Sequence, residues 1–244
     1  FYLFNHSRPK ISLLALTIIV FVSTALPLGI AAYSRNGVWR DEVTLWEDVV
    51  RKSPDKARGH NNLGMAYKEM GFSDKAGKEY LTALKLTSNY AEAYNNLGVV
   101  YTDIGLMSEA ITALNDALKI NPSFAEAHNN LGAVYKEQGF LDDAEKQYLE
   151  ALRIKPNYVD AHNNLGVVYY KKGLFKESID EYRMALELKP SAEIHYNLAL
   201  VLEQAGKKQE AIKHFESFLR LAPKKYYLHI EDVQKRIKEL QKGL

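Results

Sequence analysis

The sequence predicts an all-α fold: one transmembrane helix, then an α-solenoid of five helix–turn–helix repeats, with a half repeat before them and a capping helix after them. Three observations lead to this prediction. An apolar block without charges spans residues 11–34, a period of 34 residues runs from 57 to 225, and an amphipathic segment follows at 226–244. Residues 1–10 are assigned to a separate N-terminal segment.

The apolar block is long enough to cross a bilayer. Residues 11–34 are 24 positions without a charge, with Arg8 and Lys10 before them and Arg35 and Arg40 after them. A bilayer core needs about 20 apolar residues at 1.5 Å each, and Pro27 is expected to kink such a helix without preventing it. A cleaved signal peptide and a buried helix of a soluble domain are the alternatives, although the block exceeds the usual apolar length of a signal peptide.

Five repeat units follow at residues 57–90, 91–124, 125–158, 159–191 and 192–225, and the fourth is one residue short. Positions are counted from the first residue of each unit. Leu at position 7, a large apolar residue at 24 and small residues at 8 and 20 indicate two amphipathic helices that approach closely. Between them, position 15 is always glycine, which ends a helix in the left-handed conformation. These glycines are Gly71, Gly105, Gly139, Gly173 and Gly206.

This pattern resembles the tetratricopeptide repeat (TPR), and the resemblance covers residues 57–225. It implies a right-handed TPR α-solenoid. The units are also similar to those of the O-linked N-acetylglucosamine transferase. In a solenoid each unit contacts only its neighbours, and identical residues one repeat apart form rows along the inner face.

Both ends of the array fit such a solenoid. The junction and half repeat, residues 35–56, place Trp46, Val49 and Pro54 where positions 24, 27 and 32 of a second helix would fall. At the other end, residues 226–244 carry an apolar stripe on an otherwise charged helix, as a terminal cap requires. The basic excess of that tail is interpreted as a solvated face.

Composition excludes several classes of function. The chain has 32 Lys+Arg against 30 Asp+Glu, a net charge of +2, which argues against nucleic acid as the main ligand. Zero cysteines exclude disulfides, thiolate metal sites and cysteine nucleophiles. Because the sequence contains no recognisable catalytic motif, we expect no enzyme activity, catalytic residue or cofactor within these residues. This expectation is compatible with a catalytic membrane domain upstream of residue 1.

Four histidines share position 4 and raise the question of a metal site: His60, His128, His162 and His195. Neighbouring helices pack about 8–10 Å apart, whereas zinc needs its nitrogen ligands about 2 Å from one ion. We therefore expect these histidines to be packing residues with a polar tip, and no metal site.

Asparagine rows are the candidate binding site. An amide both donates and accepts, which suits the backbone of an extended peptide, with an apolar strip at position 9 beside it. The equal alternative is that the amides bond neighbouring helices. On the first interpretation, replacing Asn96, Asn130 and Asn164 by Ala weakens partner capture and leaves stability nearly unchanged. The predicted groove residues are Asn62, Asn96, Asn130, Asn164 and Asn197 at position 6, Asn61, Asn95, Asn129 and Asn163 at position 5, and Val99 and Val167 at position 9.

The junction has a second resemblance. Arg35, Asn36, Trp39, Asp41, Glu42, Leu45 and Trp46 are similar to the junction in polytopic membrane proteins of the transmembrane-and-tetratricopeptide mannosyltransferase type. That resemblance covers about the first 60 residues. It implies a chain anchored in a membrane by residues 11–34, with the repeat domain on the extracytoplasmic (periplasmic or luminal) side.

Three functions remain open from the sequence. The first is a membrane-anchored scaffold that binds an extended peptide of a protein partner in the concave groove. The second is a self-assembling homo-oligomer or filament of stacked arrays, and the third is a recruiting domain of a membrane glycosyltransferase.

Overall fold

The computed structural model describes residues 41–223 and 227–242. All regular structure in this part of the chain is helical. Its twelve helices are α1 (Glu42–Lys52), α2 (Ala57–Glu69), α3 (Ser73–Leu86), α4 (Ala91–Asp103), α5 (Met107–Ile120), α6 (Ala125–Glu137), α7 (Leu141–Ile154), α8 (Val159–Lys171), α9 (Phe175–Leu188), α10 (Ala192–Gln204), α11 (Lys208–Leu221) and α12 (Tyr227–Lys242).

The helices α2–α11 form five pairs, each packed against its own partner and against the next pair along the chain. Successive first helices (α2, α4, α6, α8 and α10) also pack against one another, more closely than successive second helices do. This difference places the first helices on the inner side of a curved array. The TPR α-solenoid predicted from the sequence is confirmed.

The turn inside each pair is set by its glycine. In the first unit Phe72 N–H donates to the Tyr67 carbonyl at 2.9 Å, and Gly71 N–H donates to the Lys68 carbonyl at 2.9 Å, which is the Schellman arrangement. It requires a left-handed residue after the helix, and the five position-15 glycines have φ between 74° and 83°. The same sharp reversal therefore recurs in every unit.

Close helix packing within a unit depends on a second glycine. A Cβ added to Gly64 in α2 would lie 2.6 Å from Cε1 of Tyr80 in α3. The Tyr80 ring is fully buried against this gap. A larger residue at Gly64 would thus require the Tyr80 ring or one of the two helices to shift.

Each end of the array carries one extra helix. At the start, Asp41 caps α1 by accepting a hydrogen bond from Thr44 N–H at 2.8 Å, and Trp46 packs against the core of the first unit. At the end, Val233 and Leu240 of α12 are buried in the core of the last unit. Arg236 of α12 also donates to Glu203 of α10 at 3.0 Å. The division of the chain into 1–10, 11–34, 35–56, five units and 226–244 stays a prediction.

The membrane prediction is corrected. Within residues 41–223 and 227–242, every helix is too short or too polar to serve as a membrane span. The longest, α12, has 16 residues, or about 24 Å at 1.5 Å per residue, against a bilayer core of about 30 Å. The fold class with a preceding transmembrane helix, and the membrane-anchored localisation derived from it, are therefore wrong for the described part of the chain. Residues 11–34, to which that helix was assigned, lie outside the described residues.

Candidate functional site

The two asparagine rows lie on the first helices and bond to each other across every junction between full units. The position-6 amide of one unit donates to the position-5 amide oxygen of the preceding unit. The four Nδ2–Oδ1 bonds are Asn96 to Asn61 at 3.1 Å, Asn130 to Asn95 at 2.8 Å, Asn164 to Asn129 at 3.2 Å, and Asn197 to Asn163 at 3.4 Å. We call this series the amide ladder.

Burial separates the two rows. Asn61, Asn95 and Asn129 are buried, at 4%, 7% and 7% exposure, whereas Asn163 and all five position-6 amides are half-buried. A buried amide oxygen without a donor is costly. The ladder thus satisfies the position-5 oxygens and holds each unit in register with the next.

Two further kinds of hydrogen bond, one within a unit and one between units, extend the ladder. In the first and second units the position-5 Nδ2 donates to its position-6 neighbour, as Asn95 does to Asn96 at 3.5 Å. In the fourth unit Lys136 from the preceding helix α6 instead donates from Nζ to Asn164 Oδ1 at 2.9 Å. Burial lowers the pKa of the Lys136 ammonium. A cation therefore lies against the middle of the ladder.

The apolar strip accompanies the ladder on the same helices. Val99 and Val167 are half-buried, as is Ala133 between them along the chain. Each position-6 amide has two N–H groups and two acceptor sites, and the inter-unit bond uses one N–H in four of the five, all but Asn62. The groove thus presents partly free amides next to small apolar side chains.

Three of the four position-4 histidines, His60, His128 and His162, each connect their own helix to the second helix of the unit and to a proline carbonyl before the unit. His60 Nδ1 lies 2.6 Å from Glu79 Oε2, and its Nε2 lies 3.0 Å from the Pro54 carbonyl oxygen. His162 has the same pair of partners, Glu181 at 2.6 Å and Pro156 at 2.9 Å. The partner on the second helix always lies 19 residues after the histidine in the sequence. The signal for these pairs is present in the repeat alignment, where a histidine at position 4 accompanies Glu, Gln or His at position 23.

The last histidine differs because the fourth unit is one residue short. His195 Nδ1 lies 2.9 Å from Nδ1 of His214, and no proline carbonyl contacts its Nε2 within the described ranges. Burial, followed by the Arg220 charge, lowers the pKa of His195. Among the described residues no group of three or more His, Asp or Glu side chains is placed to hold a metal ion.

Comparison with known families agrees with the repeat geometry. A family model described as "TPR repeat" matches residues 74–105, 100–139 and 135–173, and two described as "Tetratricopeptide repeat" match 159–191 and 192–225. Proteins of this fold are in general interaction scaffolds and are typically non-catalytic.

Solved structures of similar fold include three other repeat proteins. MamA is 30% identical, with a TM-score of 0.54 over 60% of this chain and 86% of that chain. A thermophilic TPR protein of Thermus thermophilus is 23% identical, with a TM-score of 0.61 over 76% and 98%. YrrB, described as a TPR protein with an unusual peptide-binding site, is 20% identical, with a TM-score of 0.57 over 77% and 97%. The last two likenesses are evidence of fold alone.

One relative among known sequences is a protein O-mannosyl-transferase of Caenorhabditis elegans, 33% identical over 60 residues. The matched stretch is 25% of this chain and 9% of that protein. The predicted resemblances to the mannosyltransferase junction and to the O-linked N-acetylglucosamine transferase have no support beyond this partial likeness.

The repeat models, by contrast, extend from residue 74 to residue 225, more than half of the 244 residues. The chain belongs to the tetratricopeptide repeat family.

Proposed function

We propose that the chain is a protein-interaction scaffold that binds an extended segment of a partner protein along the inner face of its first helices. The observation that carries this proposal is the amide ladder. Its position-6 amides are fixed in place by the preceding unit and half exposed, so they meet a peptide backbone without first losing side-chain freedom.

The hydrogen-bonding chemistry of the amide side chain supports the same occupant. Backbone amides of an extended peptide recur every few ångströms and carry both a donor and an acceptor, which an amide side chain matches whatever the peptide sequence. The short side chains at position 9 of the second, third and fourth units, Val99, Ala133 and Val167, leave room for the peptide beside the ladder. On this basis Asn96, Asn130, Asn164 and Asn197 contact the peptide, supported by the position-5 amides of the preceding units, and the half-buried Asn62 extends the same row in the first unit.

A filament of stacked arrays is less well supported. Head-to-tail growth needs an open repeat surface at each end, and α12 covers the last unit with its buried Val233 and Leu240. A second candidate, a recruiting domain of a glycosyltransferase, rests on the partial likeness to the O-mannosyl-transferase.

The groove is tested by selecting peptides and then blocking their site. Random 12-residue peptides are selected on the full chain, and the affinity of the best binder is measured by calorimetry. Ala133→Arg places a long side chain in the groove, and we expect it to raise the Kd at least about tenfold.

The matched control is Leu149→Arg, which introduces the same arginine at an exposed position of α7 in the same unit. It should leave the Kd within about twofold. If both variants bind the peptide as wild type does, while thermal unfolding shows them folded, the inner face is not the binding site.

A further inference from the structure

The second repeat unit contains a cavity that the regular repeat pattern would fill. Its volume is about 450 Å³, and it is lined by residues of α4 and α5 alone. The lining combines two aromatic rings, an apolar floor and hydroxyl and carboxylate groups: Tyr94, Tyr101, Leu97, Ala113, Ser108, Thr112, Glu109 and Asp116. None of these residues belongs to the amide ladder.

Two short side chains create this cavity. Position 23 is Ala113 in the second unit, whereas it holds Glu79, Gln147, Glu181 or His214 in the others, each in contact with the position-4 histidine. Position 4 itself is Tyr94 here. Position 22 is Thr112, whose hydroxyl donates to the Ser108 carbonyl at 2.9 Å. The hydrogen-bonded pair between positions 4 and 23 that the other units have is thus missing from this one.

The first unit shows which kind of group lies against the tyrosine at position 11. There the ammonium of Lys75, at position 19, lies 5.0 Å from the ring centroid of Tyr67, at position 11, a cation–π contact. In the second unit the same two positions are Glu109 and Tyr101, and both line the cavity. The cation of the first unit is therefore replaced by a carboxylate.

Glu109 is also available for a ligand. It is exposed in the first turn of α5, and no ion pair engages it within residues 41–223 and 227–242. Asp116, two turns further along α5, is bonded to Lys119 at 2.7 Å. Charge and shape together favour a positively charged group that enters between the tyrosines and meets Glu109.

We infer that this cavity is a second docking site, which takes an arginine or lysine side chain from a partner protein. The side chain's alkyl stem lies on Leu97 and Ala113, its cationic head is held by the Tyr94 and Tyr101 rings and the Glu109 carboxylate, and the site is separate from the peptide groove.

The test follows backbone amide shifts of the full ¹⁵N-labelled chain while N-acetyl-arginine amide is titrated in. Saturable shifts centred on Thr112 and Ala113 are expected, with a Kd of about 1–10 mM for one isolated side chain. The neutral isostere N-acetyl-citrulline amide should produce no saturable shift there. Glu109→Gln should raise the Kd about threefold to tenfold.

Ala113→Gln fills the cavity with the residue found at the same position in the third unit, and it should abolish the saturable shifts. Asp143→Asn is the control, because it removes the position-19 carboxylate of the third unit and should leave the Kd within about twofold. The assignment would be overturned if wild type and Ala113→Gln bound the arginine probe equally, or if the arginine and citrulline probes bound equally. It would also be overturned if methyl glucoside, a neutral sugar, gave saturable shifts and the arginine probe gave none. The groove variant Ala133→Arg should bind the probe as wild type does.

Discussion

Removing one amide of the ladder should destabilise the array. Asn130 Nδ2 donates to Asn95 Oδ1 at 2.8 Å, the shortest of the inter-unit bonds, and Asn95 is 7% exposed. Asn130→Ala leaves that buried oxygen without this donor, which costs about 1–3 kcal/mol. We therefore expect the free energy of unfolding to fall by about 2 kcal/mol.

The assay is urea unfolding of the full chain, followed by circular dichroism at the helix signal. With a slope of about 2–3 kcal/mol per molar urea, a loss of about 2 kcal/mol lowers the midpoint by about 0.7–1 M. Because repeat arrays can depart from two-state unfolding, the slopes of wild type and variant must agree before the midpoints are compared.

Asn197→Ala is the matched control. Its bond to Asn163 is 3.4 Å long, and Asn163 is half-buried, so water can replace the lost donor. We expect a loss below about 1 kcal/mol. If Asn130→Ala costs no more than Asn197→Ala, the ladder does not hold the units together and the reasoning fails.

The ladder also changes what a multiple substitution measures. Asn96, Asn130 and Asn164 each donate to a buried oxygen of the preceding unit. Their joint replacement by Ala should cost about 3–9 kcal/mol, comparable with the 5–15 kcal/mol or so that stabilises a whole domain. Stability is thus not expected to remain nearly unchanged, and Ala133→Arg is the better test of the groove.

Four further predictions concern single side chains. The buried Tyr148 hydroxyl has no hydrogen-bond partner among the described residues, and Phe215 occupies its position in the last unit, so Tyr148→Phe should raise the free energy of unfolding by about 1 kcal/mol; a urea titration that shows a loss would contradict this. Gly64→Ala should lower the free energy of unfolding by about 1–3 kcal/mol, because the added Cβ meets a buried ring at 2.6 Å; unchanged stability would mean that the helices separate freely. Burial opposes protonation of His162, but the Glu181 hydrogen bond and the Pro156 carbonyl outweigh it and raise its pKa. Its contribution to stability is therefore complete below about pH 6.5 and is lost as pH rises through the raised pKa, so His162→Asn should cost more at about pH 5.5 than at about pH 8.5. His195 has a lowered pKa, so His195→Asn should show the opposite trend in the same titration.

The fold was predictable because its determinants are local. Gly71 and its four counterparts predict the reversal within each unit, and the small residue at position 8 predicts the close approach that Gly64 and Tyr80 show. These features depend on contacts inside one unit, which the alignment of the repeats displays directly.

The site was less predictable because its contacts cross between units. The sequence shows that Asn95 and Asn130 belong to repeated rows, but the bond between them spans 35 residues and depends on how one unit rotates against the next. The cavity beside Ala113 had a visible signal, since the second unit departs from the others at positions 4 and 23. Only the geometry shows that the two departures meet at one place.

All inter-unit bonds of the amide ladder have the same donor-to-acceptor direction, and the residue at position 5 of the fifth unit interrupts the series. Every inter-unit amide bond runs from the later unit to the earlier one, so an added unit would need a position-5 amide oxygen on its predecessor. The last unit has Tyr196 there, and its ring packs against Phe218 at 5.3 Å and His229 of α12 at 5.5 Å. Among the described residues, the fifth unit therefore offers no acceptor to a sixth. Tyr196 thus both ends the series of inter-unit amide bonds at the fifth unit and contacts the helix that covers this unit.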